Sequence, residues 1–194
     1  TNHKVFGEAL AILAGDALVT LAFGIIARLK DLEPSQKVRL IDQLSMASGA
    51  EGMVGGQVLD MLGEGKRLSL EELEEVHLNK TGALLSYSIL AGGIIANANE
   101  DIMKALHQYS IHIGLAFQIQ DDILDVEGTS EQLGKTAGKD ILSEKNTYPS
   151  ILTLAGAKQQ LQKQYNLAIE ALHPVTLNKG LLVELADYIT KRSK

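Results

Sequence analysis

The strongest constraint on this chain is the way its apolar residues are arranged. They run in long Ala- and Leu-rich stretches and nowhere sustain the period-two alternation of a half-buried strand. Phe, Tyr and Trp together make up 4% of residues and there are three prolines, so β-forming aromatics and helix breakers are both scarce. The chain therefore reads as all-α. Breaks are expected at Lys30–Pro34, Leu62–Ser69, Asn97–Asn99, Glu127–Asn146 and His173–Leu177, where Gly, Pro, Asn or clustered charge interrupts helical periodicity. Ser69 followed by Glu72 makes a capping box for a helix over Leu70–Ala96, while Pro34 and Pro149 suit first-turn positions. Gly55-Gly56 and Gly92-Gly93 fall inside helical stretches, where each glycine costs about 1 kcal/mol against alanine. Such pairs mark either close helix packing or room for a ligand.

At 194 residues, with 45% apolar and 22% charged positions, the chain is an ordinary globular sequence long enough to bury a sizeable core. It contains no cysteine, which excludes a disulfide scaffold, zinc-thiolate centres and thiol catalysis, and is compatible with a cytoplasmic protein. A net charge of −6 argues against nucleic acid as a partner, because such binding needs a surplus of Lys and Arg to displace phosphate counterions. Phosphate chemistry, if present, must use a few placed cations. The stretch Ala9–Ala27 is interrupted only by Gly15, Asp16, Thr20 and Gly24, long enough to be weighed as a membrane span. Asp16 sits mid-span, where a carboxylate in lipid costs roughly 2.5–3.5 kcal/mol. A helix apolar on all faces also suits the centre of a helical bundle, so a buried bundle helix is expected rather than a span.

The run FQIQDDILD places Gln118, Asp121, Asp122 and Asp125 on one polar stripe, with Leu115, Ile119, Ile123, Leu124 and Val126 elsewhere around the helix. Like charges one turn apart repel by about 0.2–0.5 kcal/mol, and carboxylates in a last helical turn oppose the dipole by roughly 0.3–1 kcal/mol. A divalent cation would reverse the sign of both terms. Magnesium suits best, since it takes one or two carboxylates, keeps several waters and bridges to phosphates. A solvated acidic helix end accounts for the same residues without a metal. An EF-hand fails because Ile123 occupies an Asp position before Gly128, and Gly128 to Thr136 lacks the spacing and the preceding strand of a P-loop. The five histidines show no metal-ligand spacing.

Cations discriminate between these readings. Lys80-Thr81 lies in an otherwise apolar helical stretch one turn after His77, and Lys135, Lys139 and Lys145 follow the acidic run in the polar segment Gly128–Asn146. Together with three aspartates they describe a site for a polyanion held through metal.

With FQIQDDILD, the segments GEALAILAGDAL, MVGGQVLD, HLNKTGALL and EKNTYP resemble, colinearly over essentially the whole chain, the trans-isoprenyl diphosphate synthases, nearest to their bacterial farnesyl diphosphate members. The resemblance implies a large orthogonal helical bundle of the isoprenoid synthase type and a Mg2+-dependent prenyltransferase. It would join isopentenyl diphosphate to a dimethylallyl or geranyl diphosphate, making farnesyl diphosphate. It implies that Asp121, Asp122 and Asp125 bind magnesium. It implies further that Lys80, Thr81, Gln118, Lys135 and Lys145 contact the diphosphate or the carbon beside it, with Lys80, Thr81 and Gln118 in catalytic positions. Asp140 falls where the family has a supporting acid, and Gln57 and Asp60 resemble pocket-wall residues. A homodimer is the family's usual state. The family also carries an earlier aspartate-rich motif and a glycine-lysine segment that binds isopentenyl diphosphate, neither of which is in this sequence. The chain is accordingly expected to be the carboxy-terminal portion of a single longer domain, inactive by itself. Two alternatives stay open: a geranylgeranyl or longer-chain synthase, and a non-catalytic helical partner of a second subunit.

Overall fold

The structure, a computed structural model, describes residues 1–127 and 145–192. The chain divides into two compact units, Thr1–Ser45 and Met46–Lys194.

The first unit holds α1 (Asn2–Phe6), α2 (Glu8–Ala27) and most of α3 (Pro34–Ser48). Gly7 turns the chain between α1 and α2 at φ +84°, a conformation that favours a residue without Cβ. Pro34 opens α3, where its missing N–H removes no helical bond. The expectation of a buried bundle helix is corrected here: α2 carries no buried residue, and Leu10, Ile12, Leu13 and Leu18 are exposed. It is long and apolar enough to cross a membrane by length and composition. The physical reason lies in its surroundings, because the five-residue α1 packs against it and cannot cover a twenty-residue helix that is apolar on every side.

The second unit contains α4 (Met53–Gly63), α5 (Leu70–His77), a π-helical turn (Leu78–Gly82), α6 (Ala83–Ile95), α7 (Glu100–Glu127), α8 (Tyr148–Ala171) and α9 (Gly180–Lys191). Among the described residues all regular structure is helical. The 28-residue α7 is the axis of the unit: α5, the π turn, α6, α8 and α9 all pack on it. Its buried residues recur every three or four positions. Leu106, Tyr109, Ile113 and Ala116 meet Ala168 and Leu172 of the α8 end and Ala186 and Ile189 of α9. One or two turns further on, Ile119 and Ile123 meet Leu73, Tyr148 and Ala157. Each buried aliphatic side chain of this kind contributes roughly 1.5–3 kcal/mol. Polar ties lock the register, Tyr109 Oη donating to Leu182 O at 2.7 Å and the Ser86 and Ser110 hydroxyls bonding at 2.7 Å.

The expected breaks at residues 30–34, 62–69, 97–99 and 173–177 coincide with connections between helices. The Ser69–Glu72 box forms in both directions, with Glu72 N donating to Ser69 Oγ at 3.2 Å and Ser69 N to Glu72 Oε2 at 2.7 Å. Two features depart from the sequence reading. The chain also breaks at 49–52, where a Cβ on Gly52 would stand 2.2 Å from Ala47 O. The single helix expected over Leu70–Ala96 is interrupted by the π turn, whose wider winding no hydrophobic period announces. Helix α8 has its own irregularity: Thr153 adopts φ 69°, ψ 163° and kinks it beyond its first turn.

Candidate functional site

Lys80 and Thr81 sit in the π turn, presented by α5 and α6 to the face of α7 that ends in the acidic run. The register is antiparallel. His77 Nε2 lies 4.0 Å from Asp122 Oδ2, and a Cβ on Gly114 would stand 3.4 Å from Gly82 Cα. Gln118 lies midway between Gly114 and Asp122 on the same helical row, so it is set opposite the π turn, and both Gln118 and Thr81 are half-buried.

The other side of the π turn is held by α4. A Cβ on Gly56 would fall 2.1 Å from Lys80 N and 2.6 Å from Asn79 C, so the two backbones touch and only glycine fits between them. Gly56 is thus a packing glycine, as is Gly93, whose Cβ would meet Met103 Sδ at 2.5 Å, whereas Gly92 faces open space. One turn beyond Gly56, Asp60 takes the Lys80 ammonium at 2.6 Å, a half-buried pair that fixes the direction of the lysine. Asp60 also lines a small cavity with Gly63, Leu68, Lys145 and Asn146, so Lys80 and Lys145 approach a common region from two parts of the chain. Gln57 is half-buried on the same helix.

The three aspartates do not form the single stripe expected of them. Asp122 turns inward, 8% exposed, and its Oδ2 accepts from Tyr148 N at 2.9 Å, an acceptor placed at the first turn of α8. Asp125 is also buried. Asp121 keeps its side chain 41% exposed and is gripped by the Arg192 guanidinium. Arg192 is itself fixed over the Phe117 ring at 4.3 Å, with Nη2 donating to Phe117 O at 3.2 Å and its own carbonyl accepting from Gln120 Nε2 at 2.9 Å. The solvated acidic helix end therefore describes none of the three fully. Lys135, together with Lys139 and Asp140, lies outside the described residues.

His77, Tyr148 and Arg192 are site residues that the sequence reading passed over. His77 stacks on Tyr148 with centroids 5.7 Å apart, and its side chain is 11% exposed. Burial pushes its pKa down from 6.5 to about 4, outweighing the upward pull of Asp60, and the Lys80 charge acts in the same direction as burial. His77 is therefore neutral at pH 7. Because its folded pKa lies below its unfolded value, the stability it contributes is complete above about pH 6.5 and is lost as pH falls to about 4. On the order of 3 kcal/mol should disappear across that window, and urea titrations of wild type and His77→Phe at both ends should show the variant losing less by that amount.

Magnesium requires only one or two carboxylates from a protein and completes its shell with water and phosphate oxygens. Asp121 and Asp125 lie one turn apart on α7, Asp121 half-exposed and paired with Arg192, Asp125 buried. Asp122 is the member committed to backbone. Among the described residues no three His, Cys, Asp or Glu side chains draw together as a preformed metal group.

The fold and this site together define an all-helical protein in which one lysine and one hydroxyl on a π turn are set against the long central helix that ends in a run of carboxylates. The chain belongs to the polyprenyl synthetase family, whose sequence profile matches residues 1–176. It is 47% identical over 194 residues to the farnesyl diphosphate synthase of Bacillus subtilis (strain 168), covering 99% of this chain and 66% of that protein. Among solved structures it is similar to a geranylgeranyl pyrophosphate synthetase from Pyrococcus horikoshii, at TM-score 0.88 and 30% identity, over 99% of this chain and 70% of that one. It is also similar to a geranyltransferase from Helicobacter pylori complexed with magnesium and isoprenyl diphosphate, at TM-score 0.85 and 34% identity, over 97% of this chain and 62% of that one. The chain thus spans just under two thirds of the length of the Bacillus relative.

Proposed function

We propose that the protein is a prenyltransferase that condenses isopentenyl diphosphate with an allylic diphosphate, dimethylallyl or geranyl, to give farnesyl diphosphate. The observation that carries this reading is the antiparallel placement of the Lys80–Thr81 π turn against Gln118 and the acidic end of α7, with Lys80 aimed by Asp60. The similarity to the Bacillus enzyme supports the substrate class.

Asp121, Asp122 and Asp125 are the residues that would hold magnesium, Asp121 from the exposed side of α7 and Asp122 and Asp125 from its buried side, Asp122 also fixing the end of α7 against α8. When bound, magnesium supplies positive charge against the diphosphate oxygens, lowering the barrier to their departure. Lys80 and Lys145 neutralise the remaining oxygens, and Lys135 completes that set. The Thr81 hydroxyl and the Gln118 amide oxygen face the allylic carbon as it becomes positive, presenting dipoles rather than a base. The isopentenyl double bond attacks that carbon, and the proton then lost passes to the departing diphosphate. The apolar faces of α6 and α7 exclude the water that would otherwise capture the cation. A homodimer in the cytoplasm is the state we assign, the uncovered apolar surface of α2 being consistent with a protein surface that a second copy covers.

Product analysis tests the reading. Protein expressed from its complete reading frame, given isopentenyl diphosphate, magnesium and either starter, is expected to yield a fifteen-carbon diphosphate. Twenty-carbon or longer products would move it to the longer-chain synthases. Absence of any elongation would favour the non-catalytic helical partner.

A further inference from the structure

We propose that Asn146 is a positioning residue for the reaction, stapling the segment that carries Lys145 to the α4–α5 connection and so setting where that lysine meets the diphosphate. The assignment rests on the role given to Lys145 above. Lys145 and Asn146 lie outside any helix, so no helical ladder fixes their backbone. Thr147 and Tyr148 are secured from the α8 side, by a reciprocal capping box with Ser150 and by the Tyr148 N bond to Asp122. On the Lys145 side the Asn146 carboxamide provides a tie of three hydrogen bonds. Its Oδ1 accepts from Leu68 N at 3.0 Å, and its Nδ2 donates to Lys66 O at 2.9 Å and to Gly63 O at 3.3 Å. The two carbonyls are those of Gly63, the last residue of α4, which also accepts from Lys66 N at 3.1 Å, and of Lys66 in the connection beyond it.

The staple matters because of what shares its cavity. Asp60, Gly63, Leu68, Lys145 and Asn146 line one small space, and Asp60 is the residue that aims Lys80. Three hydrogen bonds at one carboxamide therefore hold the Lys145 segment to the connection that follows α4, the helix whose Asp60 aims Lys80. Asn146 belongs to neither apolar cluster, so its truncation leaves the core intact.

A double-mutant cycle in protein from the complete reading frame separates this role from a structural one. Asn146→Ala is expected to raise KM for the allylic diphosphate roughly tenfold while kcat changes by less than about threefold. In a Lys145→Ala background the same substitution is expected to add less than about twofold, because the group it positions is gone. Should the alanine variant fail to fold, Asn146→Ser, which puts one shorter hydroxyl in place of the carboxamide, is expected to give an intermediate KM and the same loss of effect without Lys145. An unchanged KM, or an equal factor in both backgrounds, overturns the positioning role while leaving the wider reading standing. Lys145→Ala with wild-type KM, or wild-type protein without elongation, overturns the role of Lys145 and that of Asn146 with it.

Discussion

Turnover in Asp121→Ala is expected to fall by about three orders of magnitude, roughly 4 kcal/mol of barrier, with helical content unchanged. The two halves of this expectation have separate physical origins. The loss in rate follows from removing the most accessible of the three aspartates, the one proposed above to share a magnesium ion with substrate phosphates. The retention of fold follows from exposure: the Arg192–Asp121 pair has its carboxylate 41% exposed, and ion pairs in that setting contribute about 1 kcal/mol or less. Arg192 keeps its contacts to the Phe117 ring and carbonyl when the aspartate is gone. Steady-state assays at saturating magnesium, with circular dichroism on the same samples, check both halves. Full activity would remove Asp121 from the chemistry.

The second large effect is expected from a residue with no functional group. Gly56→Ala places a methyl carbon 2.1 Å from Lys80 N, against backbone that cannot rotate away as a side chain would. Either α4 or the π turn must move, at roughly 1–3 kcal/mol, the range found for overpacked sites. The melting temperature should drop by several degrees, and turnover by at least about tenfold beyond what that destabilisation explains, because the backbone displaced is that of Lys80 itself. Gly92→Ala is the control. It meets open space within its helix and is expected to be neutral or to gain about 0.5–1 kcal/mol of helix propensity. Equal behaviour of the two variants would mean that the contact between α4 and the π turn does not govern the site.

The helices, and most connections between them, were legible because their signals are local. Ser69 and Glu72 specify a cap within four residues, and Pro34 marks a first turn. The lysine at 80 and the acidic run at 121–125 stood out because each opposes its surroundings, a cation in an apolar helix and like charges at a helix end. What the sequence could not disclose was which carboxylate faces which partner. Asp122 is drawn to the α8 amide at Tyr148, and Asp121 to an arginine 71 residues away, relations fixed only once α8 and α9 are packed on α7. The mistaken burial of α2 has a similar origin, since an all-round apolar helix states that something covers it without stating what.

The π turn at Leu78–Gly82 winds more slowly than the helices it joins, so α5 and α6 are out of phase by roughly 100° relative to one uninterrupted rod. A one-residue deletion there would relax the segment into ordinary α-helix at little local expense, yet it would swing His77 and Leu73 off their contacts or carry Lys80 around the barrel of the helix and out of reach of Asp60. Chain length is therefore as strictly set across these five residues as residue identity, an unusual condition for the interior of a helix, and loop tips are where length variation in such a protein can accumulate.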